Sequence, residues 1–515
     1  KLINLKNKKY LEFLFLIRLG ALTSLSLPPY NYLFVNFITI GLFFIYIFQK
    51  KRSLKKKYSF LYGWFFGFGY FLTNLYWISI ALKFDENYSF LIPLVLILIP
   101  SFLGIFYGLA TYCFFIIKIK KPISNLFLFS LLFGLTEFLR GNLLTGFPWN
   151  LIAFSFSENL EILQILSFIG TYGFNILCIS FFASPAIFII RENKKEIIVC
   201  ICFLLSPIVL YSFGSSNIKS FQLLDTVNNN YIIRIVGSKI DLDRFYGNSD
   251  TGEIINELIE ISQPDPETKI IFLWPEGIIP NVNQTEIKEF EFLLNKKFNK
   301  NHLLAIGISS HEKKNNESNF YNTFSIYDYK FNLITDYKKV KLVPFGEFLP
   351  FEKILGKIGL KSLTNNYQSF SSGKSREILS IKEENFDLKI LPLICYEIIY
   401  SGNIFKNSNF DFIINISEDG WFGDSIGPHQ HFRHSVFRAI ESGKYLLRSA
   451  NNGISAIINP TGNIEKKIEF GQSGYIDFTD KKVFKETVFS KYGHKMFLII
   501  ILLYIFLIFS FNRIS

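Results

Sequence analysis

Apolar and polar positions divide this chain into three stretches. Residues 1 to about 217 are a succession of long apolar runs. From about 218 to 490 the apolar residues come in short groups between polar segments, and 496–511 is apolar again. Long apolar runs are the signature of membrane-spanning helices. Eight candidate spans result, at roughly 10–27, 31–49, 59–82, 90–117, 124–139, 162–190, 195–213 and 496–511. The last is short for a hydrocarbon core of about 30 Å, with Lys495 and Arg513 placed to snorkel from its ends. Because the runs recur, one cleaved leader does not explain them.

The middle stretch reads differently. Tyr231–Val236, Lys269–Trp274, Leu303–Ile308, Leu388–Ile394 and Phe412–Ile416 are β-rich runs, and Thr251–Ser262, Thr285–Asn299 and His434–Leu447 read as helices between them. That alternation predicts a layered α/β domain with buried strands. The expected organisation is a membrane bundle of seven spans over 1–217, a catalytic domain over 218–490 and a terminal span over 491–515.

Charge gives the bundle an orientation. Lys1, Lys6, Lys8 and Lys9 precede the first span, and Lys50, Lys51, Arg52, Lys55, Lys56 and Lys57 follow the second. Lys118, Lys120 and Lys121 follow the fourth, and Arg191, Lys194 and Lys195 the sixth. The alternate loops hold only Lys83 and Arg140. Basic residues mark the cytoplasmic side, so the α/β domain is expected outside the cytoplasm. The 515 residues are 50% hydrophobic and 18% aromatic, with 60 Phe and a net charge of +12. The cytoplasmic loops absorb most of that excess, which argues against nucleic acid as a partner. Cys-x-x-Cys pairs and Gly-rich phosphate loops are missing, so no metal or dinucleotide cofactor is expected.

The candidate chemistry sits at strand ends. Cys395, in Ile394-Cys395-Tyr396-Glu397, is the sole cysteine of the middle stretch, so no disulfide forms within that domain. It is either a small buried apolar residue or a reactive thiol. Glu276 follows a strand and a proline in Trp274-Pro275-Glu276-Gly277, and Lys339 lies between Tyr337 and Glu347. A carboxylate can take the thiol proton, because the thiolate is the nucleophile. An ammonium, with the Tyr396 N–H, can hold the oxyanion formed on attack at a carbonyl. Taken singly, the three are ordinary: a capping Glu, a surface Lys, a core Cys. Together they describe acyl transfer through a thioester.

With these motifs in place the chain resembles the nitrilase superfamily, and within it the membrane-embedded apolipoprotein N-acyltransferase family. The resemblance rests on Thr136–Gly141, Leu144–Trp149, Trp274–Glu276, Lys339–Glu347, Ile394–Glu397, Asp419–His431 and Arg448–Ile454, and covers nearly the whole chain. It implies an αββα sandwich on a bundle of membrane helices, a Glu276–Lys339–Cys395 triad, and supporting roles for Glu347, Tyr396 and Glu397. The Tyr337-x-Lys339-x-x-Leu342 register selects Lys339 over Lys338 and Lys341. The implied reaction moves an acyl group from a phospholipid, through Cys395, to the α-amino group of an S-diacylglyceryl cysteine on an apolipoprotein, without cofactor. The implied location is the bacterial inner membrane, with the catalytic domain in the periplasm. A membrane-anchored amidohydrolase with the same triad, and a non-catalytic scaffold, are the competing readings.

Two stretches depart from the family pattern. Gly237–Tyr246 replaces a Gln-Gly-Asn-Ile segment and a following Lys-Trp pair, so Tyr246 stands where a functional Trp is expected. Glu418-Asp419 replaces an Asn-Asp pair. Substrate contacts are expected from Tyr246, Trp421, Phe351, Ile354 and Leu355. The last three belong to an amphipathic stretch, 351–361, with a Lys353, Lys357, Lys361 row, which suits either an interfacial helix or one packed on the sheet. His429, His431 and His434 suggest a metal site only weakly, since no carboxylate is placed with them. Glu137 and Arg140, three apart, are expected to pair and anchor the 140–161 loop. Arg18, within the first span, either snorkels or pairs.

Overall fold

The computed structural model describes residues 9–513 apart from 54–55, 85, 247–248, 315–316, 356, 358–368 and 403–408. Among the described residues six helices are long and apolar enough to cross a membrane: Lys56–Lys83, Asn87–Ile116, Pro122–Asn142, Leu166–Ile190, Glu196–Gln222 and Lys495–Arg513. The first two expected spans are helices Lys9–Thr23 and Val35–Arg52. The former has 15 described residues, about 22 Å of helix, and the latter closes on Lys50, Lys51 and Arg52. Both pack into the bundle, with Leu16, Phe43 and Phe44 buried. Glycines set the closest approaches. A Cβ on Gly63 would lie 2.1 Å from the Tyr107 carbonyl, and one on Gly69 2.0 Å from that of Ile17.

The basic loops gather at one end of the bundle. Lys50 pairs with Glu12 (2.6 Å), Arg52 with Glu192 (2.8 Å), and Lys51 donates to Asn125 (2.7 Å). The α/β domain packs against the opposite end, through Pro28, Trp77, Asn142–Asn150 and Gln164.

That domain holds two six-stranded mixed sheets. The first contains β1 (Val227–Gly237), β2 (Ile270–Leu273), β3 (His302–Lys314), β4 (Glu317–Asp328), β5 (Leu333–Lys338) and β12 (Gly474–Lys481), in the order β12-β1-β2-β3-β4-β5. The second contains β6 (Leu379–Glu383), β7 (Phe386–Ile394), β8 (Phe412–Glu418), β9 (Tyr445–Asn451), β10 (Ser455–Ile458) and β11 (Ile464–Ile468), in the order β11-β10-β9-β8-β7-β6. Each has a parallel trio at its centre, β1-β2-β3 and β7-β8-β9. Residues from both sheets, among them Ile235, Leu273, Phe324, Ile390, Ile414 and Leu447, share one core. Ser449 Oγ donates to the Val236 carbonyl (2.6 Å) and stitches β9 to β1.

One helix layer covers each outer face. Helix Thr251–Ser262 lays Ile254, Ile255, Leu258 and Ile259 on the first sheet. Helix Gly427–Ser442 lies on the second, and beyond it the core runs without a break into the membrane bundle. This helix begins at 427 and ends at Gly443, whose φ of +67° suits a left-handed cap. The expected helix 434–447 was therefore displaced: Tyr445–Leu447 belong to β9. The expected helix 285–299 is a 3-10 turn, Glu286–Phe290, followed by four helical residues, Glu291–Leu294.

Candidate active site

Carboxyl ends of parallel strands face a common crevice in open α/β sheets, and the candidate residues gather there. Glu276 follows β2, Lys339 follows β5, and Cys395 follows β7. All three are buried. Lys339 Nζ donates to Glu276 Oε1 (3.1 Å) and to Glu347 Oε1 (2.9 Å). Asn322 Nδ2, from β4, bridges the same two oxygens at 2.7 and 2.8 Å. Glu276 Oε2 accepts the Glu418 N–H at 2.9 Å, and Glu347 Oε2 accepts the Val343 N–H at 2.8 Å. Both carboxylates are thus fixed from two sides.

Cys395 has φ +46°, a left-handed conformation that a non-glycine residue adopts only under local constraint. It opens a 3-10 turn, Cys395–Ile399. Burial raises its pKa well above the ordinary thiol range, the Glu276 charge raises it further, and Lys339 opposes both. Burial would lower the Lys339 pKa, but Glu276 and Glu347 outweigh it and hold the ammonium charged. The resting site is therefore a protonated thiol beside a carboxylate and a fixed cation. That set can move a proton from sulfur to Glu276 and then hold a new oxyanion.

The supporting residues divide by what they touch. Glu347 contacts Lys339 directly. Glu397 instead accepts from Tyr337 Oη (2.9 Å) and from the N–H groups of Val340 (3.0 Å), Lys341 (3.1 Å) and Ile394 (2.9 Å). It pins the chain on either side of Lys339 to the strand that delivers Cys395. Tyr396 Oη donates to the Gly146 carbonyl (2.9 Å), and Tyr400 Oη to that of Thr145 (2.9 Å). The Cys395–Ile399 turn is thereby docked on a loop of the bundle. Arg140 holds that loop through the Phe147 carbonyl, and it pairs with Glu137, which also accepts from Tyr107 Oη (2.6 Å).

Among the aromatic candidates, Trp421 is half-buried and stacks on Phe245 (5.6 Å between centroids). Tyr246 follows Phe245 in the same 3-10 turn, Leu242–Tyr246. Phe351 is 67% exposed. The side chains of Ile354 and Leu355, and most of the expected amphipathic stretch 351–361, lie outside the described residues.

The three histidines do not converge. His431 lies with Nδ1 2.8 Å from Asp419 Oδ1 and Nε2 3.3 Å from the Cys395 carbonyl oxygen. His434 packs on Phe154 (4.4 Å), and His429 faces Phe470 (5.9 Å). Successive helix positions turn by about 100°, which sends the three side chains to different neighbours. Asp419 also receives Arg448 (2.8 Å) and Ser417 (2.7 Å). Sequence reasoning missed Asn322, the Asp419–His431–Arg448 group and the bond from Glu418 to Glu276. The one available signal for Asn322 was an amide inside the strand-like run Phe320–Ile326.

Residues 19–184 match the family model of the apolipoprotein N-acyltransferase N-terminal domain, and residues 263–477 match that of the carbon-nitrogen hydrolases. Curated relatives match nearly end to end. Apolipoprotein N-acyltransferase of Rickettsia prowazekii is 32% identical, covering 92% of this chain and 93% of its own. That of Rhodopseudomonas palustris is 31% identical (92% and 90%), and that of Rhizobium rhizogenes 30% identical (89% and 88%).

Proposed function

This chain belongs to the apolipoprotein N-acyltransferase family, and from that premise we propose that Cys395 carries the acyl group between a phospholipid and an apolipoprotein. The enzyme is an acyltransferase of lipoprotein maturation with a carbon-nitrogen hydrolase fold. Glu276 takes the thiol proton as sulfur attacks the ester carbonyl of the donor. Lys339 and the Tyr396 N–H hold the oxyanion. Collapse expels the lysophospholipid alkoxide, which takes the proton back from Glu276, and leaves a thioester on Cys395. The α-amino group of an S-diacylglyceryl cysteine then attacks, Glu276 accepts its proton, and the thiolate leaves. The donor in this reading is phosphatidylethanolamine, opened at its sn-1 ester. Glu347 orients Lys339, Glu397 and Tyr396 hold the turn, and Tyr246, Trp421, Phe351, Ile354 and Leu355 contact the lipids.

The observation that carries the reading is the hydrogen bond from Tyr396, next to the nucleophile, to the Gly146 carbonyl of a bundle loop. A site so docked meets substrates that are themselves lipid-anchored. In this reading the bundle comprises eight spans of the inner membrane, with seven in 1–217 and the last in 491–515. The 218–490 domain faces the periplasm. Its position opposite the basic end of the bundle supports that orientation.

The test is intact-protein mass spectrometry after incubation with phosphatidylethanolamine of one defined acyl composition. Wild type is expected to gain one acyl group, released by hydroxylamine, and Cys395→Ala none. Equal labelling of both proteins, or no labelling of wild type, overturns the reading.

A further inference from the structure

The two departures from the family pattern lie 174 residues apart in sequence and touch in the fold. Arg244, from the first, is wholly buried, and its Nη2 donates to Glu418 Oε2, from the second. Its Nη1 donates to the carbonyls of Asp241 (2.8 Å) and Ile240 (3.3 Å), and Nη2 reaches that of Gly277 at 3.4 Å. Glu418 also accepts from Asn451 Nδ2 (2.7 Å) and from the Gly420 N–H (2.8 Å).

These contacts bracket Glu276. Gly277 is the next residue in the chain, and the Glu418 N–H donates to Glu276 Oε2 at 2.9 Å. On the other side of the guanidinium, Arg244 Cζ lies 4.2 Å from the Phe245 ring. Phe245 stacks on Trp421, and Trp421 meets Phe84 of the bundle edge-on at 5.8 Å. One rigid fork therefore joins the base, the turn that supports it and an aromatic stack reaching the membrane half.

Stability alone does not account for such a pair, since burying two charges costs about as much as their attraction returns. What the fork supplies is geometry. We propose that Arg244 is a positioning residue for Glu276, acting through Glu418 and Gly277, and that it fixes Phe245 as the ring that stacks on Trp421. The inference rests on the reading of Glu276 as the base. Without the guanidinium, Glu418 is a buried carboxylate with no counter-charge. Burial already raises its carboxyl above the usual range against the pull of Arg244, so it takes up a proton and the 417–420 turn loses its anchor.

The experiment measures single-turnover loading of Cys395 from phosphatidylethanolamine vesicles, across pH and donor concentration, on the full-length protein. The variants are Arg244→Met, Arg244→Lys, Glu418→Gln, the Arg244→Met/Glu418→Gln double and Glu276→Gln. Arg244→Met is expected to slow maximal loading by about 10- to 100-fold, the usual consequence of a small misplacement of a reacting group. Its pH profile shifts, while the half-saturating donor concentration stays near that of wild type. The double variant loses no more than Arg244→Met alone, because Gln stands in for the protonated Glu418 that this change already leaves, and Arg244→Lys falls between wild type and Arg244→Met. A wild-type rate and pH profile in folded Arg244→Met overturns the proposal, as does a double variant whose loss equals the product of the singles. If Arg244→Met does not fold, the isosteric Glu418→Gln carries the same expectation and the same overturning result. Loading by Glu276→Gln at the wild-type rate would sink the base reading itself. Loss of loading in Glu276→Gln beside normal loading in Arg244→Met sinks only the positioning role.

Discussion

The two helices that cover the sandwich obey opposite rules. Helix Thr251–Ser262 is amphipathic: Ile254, Ile255, Leu258 and Ile259 are buried while Glu253, Glu257 and Glu260 face outward. Helix Gly427–Ser442 carries Gln430, His431, His434, Arg438 and Glu441, yet all of it except His429 and Arg433 is buried. The first has solvent beyond it and the second has the membrane bundle. A polar helix with so little solvent face must pair its charges within the protein, and Glu441 is paired. Glu441 Oε1 accepts from the Thr171 N–H (2.8 Å), Thr171 Oγ1 (2.7 Å) and Ser401 Oγ (2.7 Å), and Oε2 pairs with Arg438 Nε (3.0 Å). Thr171 follows Gly170, where a non-helical φ of +66° interrupts helix Leu166–Ala183. The α/β domain thus supplies the carboxylate that caps the resumed helix of the bundle. The layer nearest the membrane is a polar joint; the far layer is a simple cover.

That contrast is broken most directly at Glu441. Replacing it with Ala leaves Arg438 buried and unpaired and strips an acceptor from three donors at the helix break. Removing one partner of a buried pair costs about 3–5 kcal/mol, so a thermal scan in detergent should show a large fall in the unfolding midpoint. Arg438→Met combined with Glu441→Leu should recover much of it. An unchanged midpoint for Glu441→Ala would mean that the joint contributes nothing.

A smaller effect, readable by pH, lies where the same helix meets the site. Burial would raise the Asp419 pKa, but Arg448 and His431 hold it at about 2. An unfolded Asp titrates near about 3.9, so the folded-state value is depressed. Its contribution is therefore complete above about pH 4 and is lost as pH falls towards 2, at about 1.4 kcal/mol per pH unit. Asp419→Asn should be less stable than wild type at pH 6, and the gap should close as the pH is lowered through that window. A gap that stays constant down to pH 2 would contradict the depressed carboxyl.

The same contrast explains what the sequence made legible. Short motifs picked out Glu276, Lys339 and Cys395, which the fold brings together, because each sits at a strand end with its neighbours adjacent in the chain. The amphipathic helix 251–262 was equally plain from its period. Residues whose meaning lies in distant partners were not. His431 reads as one of three histidines until Asp419 and the Cys395 carbonyl are beside it. Arg244 and Glu418 read as separate irregularities until they pair. Helix 427–442 has too few apolar residues to show a face, so its start was set too late by seven residues. The bundle was legible as apolar runs. Of its first two helices, the first has 15 described residues, about 22 Å of helix, and the second closes on three basic residues.

The smallest expected effect belongs to the far layer. Asp250 caps helix Thr251–Ser262, its Oδ1 accepting from the N–H groups of Gly252 (2.6 Å) and Glu253 (3.2 Å). Both donors otherwise face water, so losing the cap exposes them without burying an unpaired charge. Asp250→Ala should therefore cost about 1 kcal/mol. Because this helix lies on the face of the first sheet away from the bundle, loading of Cys395 at 25 °C should be unchanged. A loss of loading out of proportion to that small fall in stability would show that the two layers are coupled through the sheets, and that the far one is more than a cover.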